Sequence, residues 1–246
     1  MQIPARMSER GGHQSLTWQV TEDLGRAIVG GEYPPGSVLP NEDAISLRNG
    51  VGRSAVREAI KALEAKGLVQ ARPRRGTSVL SPRRWNQFDG DVQAWTRVGA
   101  PDPALLCELL EVRSAFEPLA ASLAAARGAP EAVRAIGLAH VRMAAAAEGR
   151  DDPFEADLAF HAAVLEASGN RFLAGVLPLV GTALLFSVRV TNALRGDPVG
   201  DLAAHARVAD AIGRRDPDAA RAEMETLLAD VGCALAAYAA LQEKKP

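Results

Sequence analysis

The 246-residue sequence has few cysteines, few aromatic residues and no long apolar run. Its two cysteines, Cys107 and Cys233, exclude a disulfide framework and a zinc-knuckle spacing, and they fit a reducing compartment. No uninterrupted apolar run approaches the roughly 20 residues that span a bilayer. The polar first 13 residues lack the apolar segment of a signal peptide. These absences predict a cytoplasmic protein without a membrane partner, and we expect both thiols to be buried in helical faces.

Net charge is also nearly absent, but only as an average. The formal charge is −2, whereas residues 48–84 carry +8, residues 1–47 carry −3 and residues 85–246 carry −7. A net charge near zero over the whole chain argues against a nucleic-acid partner, but the positive charge of residues 48–84 argues for one. The asymmetry predicts one polyanion-binding module attached to a second, acidic domain.

The first third of the chain has the pattern of a winged helix-turn-helix. Helical periodicity over 20–29, 42–48 and 53–66 is interrupted by turn residues, and the last two helices are separated by a short turn that contains glycine. The period then changes to that of two short strands, 68–71 and 77–80, around a basic tip at 72–76. We predict a disordered tail over 1–13, a winged helix-turn-helix with a small β-hairpin over 14–81 and a linker over 82–91.

The remainder of the chain is rich in alanine, with 39 alanines among the 162 residues from position 85 onward. Alanine favours helices and lets them approach closely. Proline and glycine separate about seven apolar, helix-periodic segments, at about 92–98, 103–127, 130–148, 154–168, 171–195, 199–214 and 217–241. The predicted fold is mainly α, with an all-α bundle over 92–241.

The predicted recognition helix carries long donors in its first turns, where such helices contact base edges. Arg53 and Arg57 are four residues apart and share one face, and Ser54 is small enough to allow close approach to DNA. The predicted wing adds four further candidates, Arg74, Arg75, Gly76 and Thr77. The alternative is a solvated basic face, which an isolated arginine would favour, but the combination of helix and wing favours DNA.

The second domain contains a weaker constellation of polar residues. Asp157 and His161 lie four residues apart on one helix, His205 lies in an apolar helix, and Arg113 could bind a carboxylate through two donors. Imidazole and carboxylate groups suit divalent metals such as Zn, Ni or Mn. The alternatives are a surface pair and an ordinary core histidine.

The first domain resembles the GntR family of bacterial transcription regulators. The resemblance rests on Tyr33-Pro34-Pro35-Gly36, on Leu39-Pro40-Asn41-Glu42, on the segment from Val51 to Ile60 and on Arg75-Gly76-Thr77. It implies that Arg53, Arg57 and the wing contact DNA. Two positions depart from the pattern. Gly52 replaces a hydroxyl residue at the helix N-cap, and Asp43 stands where some members have a DNA-contacting arginine.

The second domain is similar to the ligand-binding domain of the FadR subgroup, in its sugar-acid, galactonate-repressor-like branch. The matching segments begin at Arg113, Asp157 and His205, and the segment from Trp85 to Trp95 resembles the same branch. The resemblance implies a divalent metal on Asp157, His161 and His205, with a small carboxylate bound beside it near Arg113. A fourth histidine ligand of the family is replaced by Leu227, so the site either has three protein ligands or binds its effector without metal. His140 is a conceivable substitute.

The sequence thus predicts a homodimeric regulator, not an enzyme, that represses transcription from a palindromic operator and responds to a sugar acid or related carboxylate. Two alternatives stay open: a metal-assisted hydrolase or isomerase using Asp157, His161 and His205, and an architectural DNA binder that needs no effector. Against the enzyme, the constellation has no nucleophile–base pair and no phosphate loop.

Overall fold

The computed structural model describes residues 15–98, 103–195 and 201–242, which form α-helices and one two-stranded antiparallel sheet. The chain divides into two compact units, Met1–Gly99 and Ala100–Pro246. The mainly α fold, with a helix-turn-helix and wing followed by a helical domain, is confirmed. The predicted tail over 1–13 lies outside the described residues.

The first unit contains α1 (Leu16–Val29), α2 (Glu42–Asn49), α3 (Arg53–Ala65), β1 (Val69–Arg72) and β2 (Gly76–Val79). Local capping explains where these helices begin and end. The side chain of Asn41 accepts a hydrogen bond from the backbone N–H of Ala44 at 2.8 Å, and Gly50 ends α2 in the left-handed region at φ 64°. Gly67, at φ +76°, turns the chain after α3 into the hairpin. The apolar faces of α1, α2 and α3 enclose a core with the inward residues of the sheet.

A further helix, α4 (Gly90–Thr96), also belongs to the first unit. The ring of Trp95 packs against Gly25, and its Nε1 donates to Glu22 at 2.8 Å. Lys66 binds Asp89 at 2.7 Å. The predicted linker over 82–91 and the predicted start of the second domain at 92 therefore differ from the structure, because the indole and this ion pair attach the segment to α1 and α3.

The second unit is a bundle of helices: α5 (Pro103–Arg127), α6 (Pro130–Ala147), α7 (Pro153–Ala167), α8 (Arg171–Ala174), α9 (Leu177–Arg195), α10 (Leu202–Gly213) and α11 (Pro217–Gln242). The helix predicted over 171–195 is two helices, because the first ends at Gly175 and Pro178 lies in the first turn of the next, where its missing N–H costs nothing. The predicted start at 199 lies outside the described residues.

Helix α11 is long and apolar enough to cross a membrane by length and composition alone. Ala220, Met224, Leu227 and Leu228 are buried in the bundle core, although only 28% of the apolar span of this helix is buried. The prediction of buried cysteines is wrong, because Cys107 and Cys233 both lie on exposed helix faces.

Candidate functional site

The first candidate surface lies at the start of α3. Arg53, Ser54 and Arg57 are all exposed there, as predicted. Gly52 occupies the N-cap and makes no side-chain hydrogen bond, so the first backbone N–H groups of α3 are not capped by a side chain. Three polar side chains and a helix N-terminus thus form one exposed face.

The hairpin presents the second group of predicted residues. Arg74 and Arg75 are exposed at its tip, where Arg74 has φ 62° and Gly76 has φ 80°. A positive φ is uncommon for arginine, and here it follows from the short connection that pairs Arg72 with Gly76. Thr77 is half-buried, and its carbonyl accepts from the N–H of Leu39 at 2.8 Å. The wing therefore has a defined shape with its basic side chains in solvent.

Two carboxylates that sequence reasoning left without a role meet the arginines of α3. The Nε atom of Arg57 donates to Glu42 at 2.7 Å, and Nε of Arg53 lies 2.5 Å from Oδ1 of Asp43. Both acids lie in the first turn of α2. Their helix position was readable from the sequence, but the pairing across the turn depends on how α2 packs on α3.

The second candidate site is a cluster of five buried polar residues in the helical unit. Helix α5 contributes Arg113 and Glu117, α7 contributes Asp157 and His161, and α10 contributes His205. Each residue is less than a tenth exposed. The structure therefore brings together Arg113, Asp157, His161 and His205 as predicted. It adds Glu117, which lies four residues after Arg113 in a segment that resembles the family but for which the sequence predicted no role.

Arg113 and Glu117 form the first half of this network. Nε of Arg113 donates to Oε1 of Glu117 at 2.6 Å, and Nδ1 of His161 lies 2.5 Å from Oε2 of the same carboxylate. Because a carboxylate only accepts, Nδ1 of His161 carries a proton. Its other ring atom, Nε2, lies 3.2 Å from Nη2 of Arg113 and 3.5 Å from Oδ1 of Asp157. The neutral ring can accept from Arg113, and the protonated ring can donate to Asp157.

His205 forms the second half. Its Nδ1 lies 2.7 Å from the backbone carbonyl of Asp201, so Nδ1 carries the proton and the lone pair of the neutral ring is on Nε2. That Nε2 lies 3.3 Å from Oδ1 of Asp157, but neither atom has a hydrogen-bond partner among the described residues. Two buried acceptors that face each other need a cation or a proton between them.

The buried charges alter the pKa values of their neighbours. Burial would raise the pKa of Glu117, but Arg113 and His161 outweigh it and lower the pKa to about 2. Burial also disfavours a charged His161, yet the attraction of Glu117 and the contact with Asp157 raise its pKa to about 9, against the opposing charge of Arg113. For Asp157, burial is again outweighed, and His161 and His205 hold its pKa well below the usual range. The protonated His161 and Arg113 therefore balance the two carboxylates.

The donor set fits a divalent metal. One ligand atom from each of Asp157, His161 and His205 lies within 4.8 Å of the others. The second ring nitrogen of each histidine lies close to an acceptor, 2.5 Å from Oε2 of Glu117 for His161 and 2.7 Å from the carbonyl of Asp201 for His205, and such contacts orient ligating imidazoles in metal sites. Because Nε2 of His161 must lose its proton before it can bind an ion, metal and proton compete there.

The two other residues considered as ligands lie elsewhere or lack a donor. Leu227 is 4% exposed and belongs to the apolar core of the unit. His140 lies on α6, and its Nε2 is 3.1 Å from the carbonyl of Leu202. Neither belongs to the cluster, so three candidate ligands remain among the residues that the structure describes.

Family models match both units of the chain. The family model described as "Bacterial regulatory proteins, gntR family" matches residues 16–79, and the FCD domain matches residues 108–230. The first match covers the helix-turn-helix and hairpin, and the second covers the five buried polar residues.

Two relatives from Escherichia coli (strain K12) match nearly the whole chain. The HTH-type transcriptional regulator YieP is 34% identical over 92% of this chain and 98% of its own length. The galactonate operon transcriptional repressor is 32% identical over 87% of this chain and 93% of its own. The solved structure of Lar, which controls the expression of the Listeria monocytogenes agr system, aligns with 92% of this chain and 98% of its own length at a TM-score of 0.63. Because the two sequences are only 17% identical, this similarity shows the fold alone. The chain thus belongs to the GntR family of bacterial DNA-binding transcription regulators, with an FCD domain as its second unit.

Proposed function

We propose that this protein is a cytoplasmic, homodimeric repressor, not an enzyme, that releases a palindromic operator when a small carboxylate of the sugar-acid class binds the buried polar cluster of its FCD domain. The observation that carries the proposal is the network of Arg113, Glu117, Asp157, His161 and His205 inside a helical unit that follows a basic winged helix-turn-helix. Burying five charged or titratable groups costs free energy that their mutual pairing offsets only in part, and Oδ1 of Asp157 and Nε2 of His205 lack a hydrogen-bond partner among the described residues.

The DNA-binding part of the proposal uses Arg53 and Arg57 to contact base edges, with Ser54 beside them. The exposed Arg74, Arg75 and Gly76 of the wing, with the half-buried Thr77, would contact the backbone or the minor groove. One recognition helix reads only a few base pairs. A two-fold dimer would read two half-sites and so account for a palindromic operator.

The charge balance of the cluster supports an anionic effector with a metal. Arg113 and protonated His161 already balance Glu117 and Asp157, so a buried anion needs further positive charge. A divalent ion such as Zn²⁺, Ni²⁺ or Mn²⁺, held by Asp157, His161 and His205, would supply that charge and a Lewis-acid contact for the effector.

Arg113 would position the effector. Its Nε and Nη2 donate to the two oxygens of Glu117 at 2.6 and 3.4 Å, and Nη2 also lies 3.2 Å from Nε2 of His161. Glu117 thus holds the Nε–Nη2 edge of the guanidinium, and the other terminal nitrogen, Nη1, would donate to a carboxylate of the effector. The named galactonate operon repressor among the relatives supports a sugar acid as the first compound to test.

Selection from a randomised duplex library tests DNA binding. The wild-type protein is expected to enrich a palindromic motif, and Arg57→Ala to lose the base preference while retaining its fold by circular dichroism. The salt dependence of binding should be steep, since counterions are released from the phosphates. Failure of the wild type to enrich any motif at moderate salt would refute the operator-binding function.

A thermal-shift screen of sugar acids, with and without added Zn²⁺, Ni²⁺ or Mn²⁺, tests the effector site. Arg113→Lys and His205→Gln should lose the stabilisation seen with the wild type, while His140→Gln serves as the matched control. Equal stabilisation of all variants would contradict the assigned pocket. Turnover of a stabilising compound would favour the hydrolase or isomerase, and operator binding without any ligand response would favour the architectural DNA binder.

A further inference from the structure

The ion pairs between α2 and α3 suggest a role for two acids that nothing else in the function uses. Glu42 and Asp43 occupy the first turn of α2, and each carboxylate contacts one of the two arginines of α3. Since the acids reduce the positive charge of a DNA-binding face, simple electrostatics would disfavour them there.

The atoms that make these contacts explain how the acids can help. Both carboxylates lie against Nε, at 2.7 Å for Arg57 and 2.5 Å for Arg53. An arginine that reads guanine can offer its two terminal nitrogens, Nη1 and Nη2, to O6 and N7. A carboxylate on Nε leaves that end of the guanidinium available and restricts the rotamers of a long, flexible side chain.

The surroundings of Glu42 place it on the same side as the wing. It lines a surface groove of about 490 Å³ together with Ile60 of α3 and with Arg72, Arg74 and Thr77 of the hairpin. The Glu42 side chain is 38% exposed and that of Arg57 is 62% exposed, so the acid is the less exposed partner of the pair.

We propose that Glu42 and Asp43 are positioning residues for base recognition: Glu42 orients Arg57 and Asp43 orients Arg53, so that each guanidinium presents its terminal nitrogens to DNA. This inference rests on the proposed DNA-reading role of the two arginines. The alternative is that the acids only stabilise the N-terminus of α2 through the helix dipole.

Selection from a randomised duplex library, followed by affinity measurements on the selected duplex and on its single-base variants, separates the two roles. The variants are Glu42→Gln, Asp43→Asn, Arg57→Lys and the double variant of Glu42→Gln with Arg57→Lys. Glu32→Gln is the matched control, because Glu32 is also exposed and paired with an arginine, Arg48 at 3.6 Å, but lies outside α2 and α3. Circular dichroism verifies folding.

Positioning predicts that Glu42→Gln lowers the preference at one base pair per half-site by about tenfold, within the roughly 5- to 150-fold that a bidentate contact supplies. Affinity for random duplex should rise, because a negative charge is removed. Asp43→Asn should relax a different base pair. In the Arg57→Lys background Glu42→Gln should no longer change the preference, because lysine has no Nε edge to hold.

Three results would overturn the inference. If Glu42→Gln and Asp43→Asn raise the affinity equally for every duplex, the acids only repel phosphate. If both variants keep the wild-type base preference, as Glu32→Gln should, the acids have a purely structural role. A wild-type protein that selects no motif would remove the proposed function and this inference together, whereas in the first two cases the operator-binding function stands.

Discussion

Raising the pH from 6.5 to 9 is expected to destabilise the helical unit of the metal-depleted protein. The pKa of His161 is raised from 6.5 to about 9 in the folded state, where burial is outweighed by the charge of Glu117. A raised pKa means that the folded protein binds a proton more tightly than the unfolded chain does. The resulting stabilisation is complete below pH 6.5 and is lost as the pH rises through 9.

The size of the effect follows from the shift. A change from 6.5 to about 9 corresponds to on the order of 3 kcal/mol in the free energy of unfolding. For a unit of this size, each kcal/mol changes the melting temperature by about 2–4 °C, so the total decrease is about 10 °C. Glu117 contributes little to the slope in this range, because its pKa of about 2 keeps it ionised throughout.

The distribution of tryptophan provides an internal control for the measurement. All three tryptophans, Trp18, Trp85 and Trp95, lie in the first unit, so their fluorescence reports its unfolding alone. Far-ultraviolet circular dichroism is dominated by the helices of the second unit. After treatment with EDTA, the melting temperature from circular dichroism should fall between pH 6.5 and 9, while the fluorescence transition should move less.

Two variants test the cause. Glu117→Gln removes the charge that raises the pKa of His161, so the pH dependence above 6.5 should largely disappear. This variant should also lose about 3–5 kcal/mol at pH 6.5, because Arg113 and His161 keep a buried positive charge with one partner fewer. Should it fail to fold, His161→Gln provides the same test. A wild-type stability that is constant from pH 6.5 to 9, or a slope that persists in both variants, would refute the reasoning.

Three other outcomes follow from the structure. Gly25→Val should destabilise the first unit by about 1–3 kcal/mol, since a Cβ at Gly25 would lie 2.5 Å from the Trp95 ring. The measurement is a denaturant titration followed by tryptophan fluorescence, and an unchanged midpoint would contradict this packing. Asn41→Ala should cost about 1 kcal/mol through loss of the α2 cap, whereas Asn41→Asp, which keeps an acceptor, should cost less in the same titration. Zn²⁺ at a hundred times its Kd should stabilise the second unit by about 2.7 kcal/mol in thermal melts, and Asp157→Asn should abolish that gain if the ligands are assigned correctly.

Local signals in the sequence carried the prediction of the first unit. Asn41 caps α2 and Gly67 turns the chain after α3, and both are features of adjacent residues that a single sequence displays. The place of α4 was mispredicted because it depends on Trp95 reaching Gly25, which is 70 residues earlier in the chain. No local pattern encodes that contact.

In the candidate sites, too, proximity within one helix was predictable and contacts between helices were not. Asp157 and His161 share a helix face at a spacing of four residues, so their proximity was predictable. His205 and Arg113 were candidates by residue type alone, and the resemblance to a known family assigned them to the same site. The contact of Glu117 with His161 and those of Glu42 and Asp43 with the arginines of α3 emerged only from the structure.

By itself, the sequence determined the two-part organisation, the basic segment of +8 and the helices that carry the polar side chains. Helix periodicity, capping and charge depend on residues within one or two turns of each other, and these can be read along the chain. Only the tertiary structure decided which acid each arginine meets and the protonation of His161. Those properties depend on distances of 2.5–3.3 Å between side chains of different elements and on the exclusion of water around them, and both arise from packing.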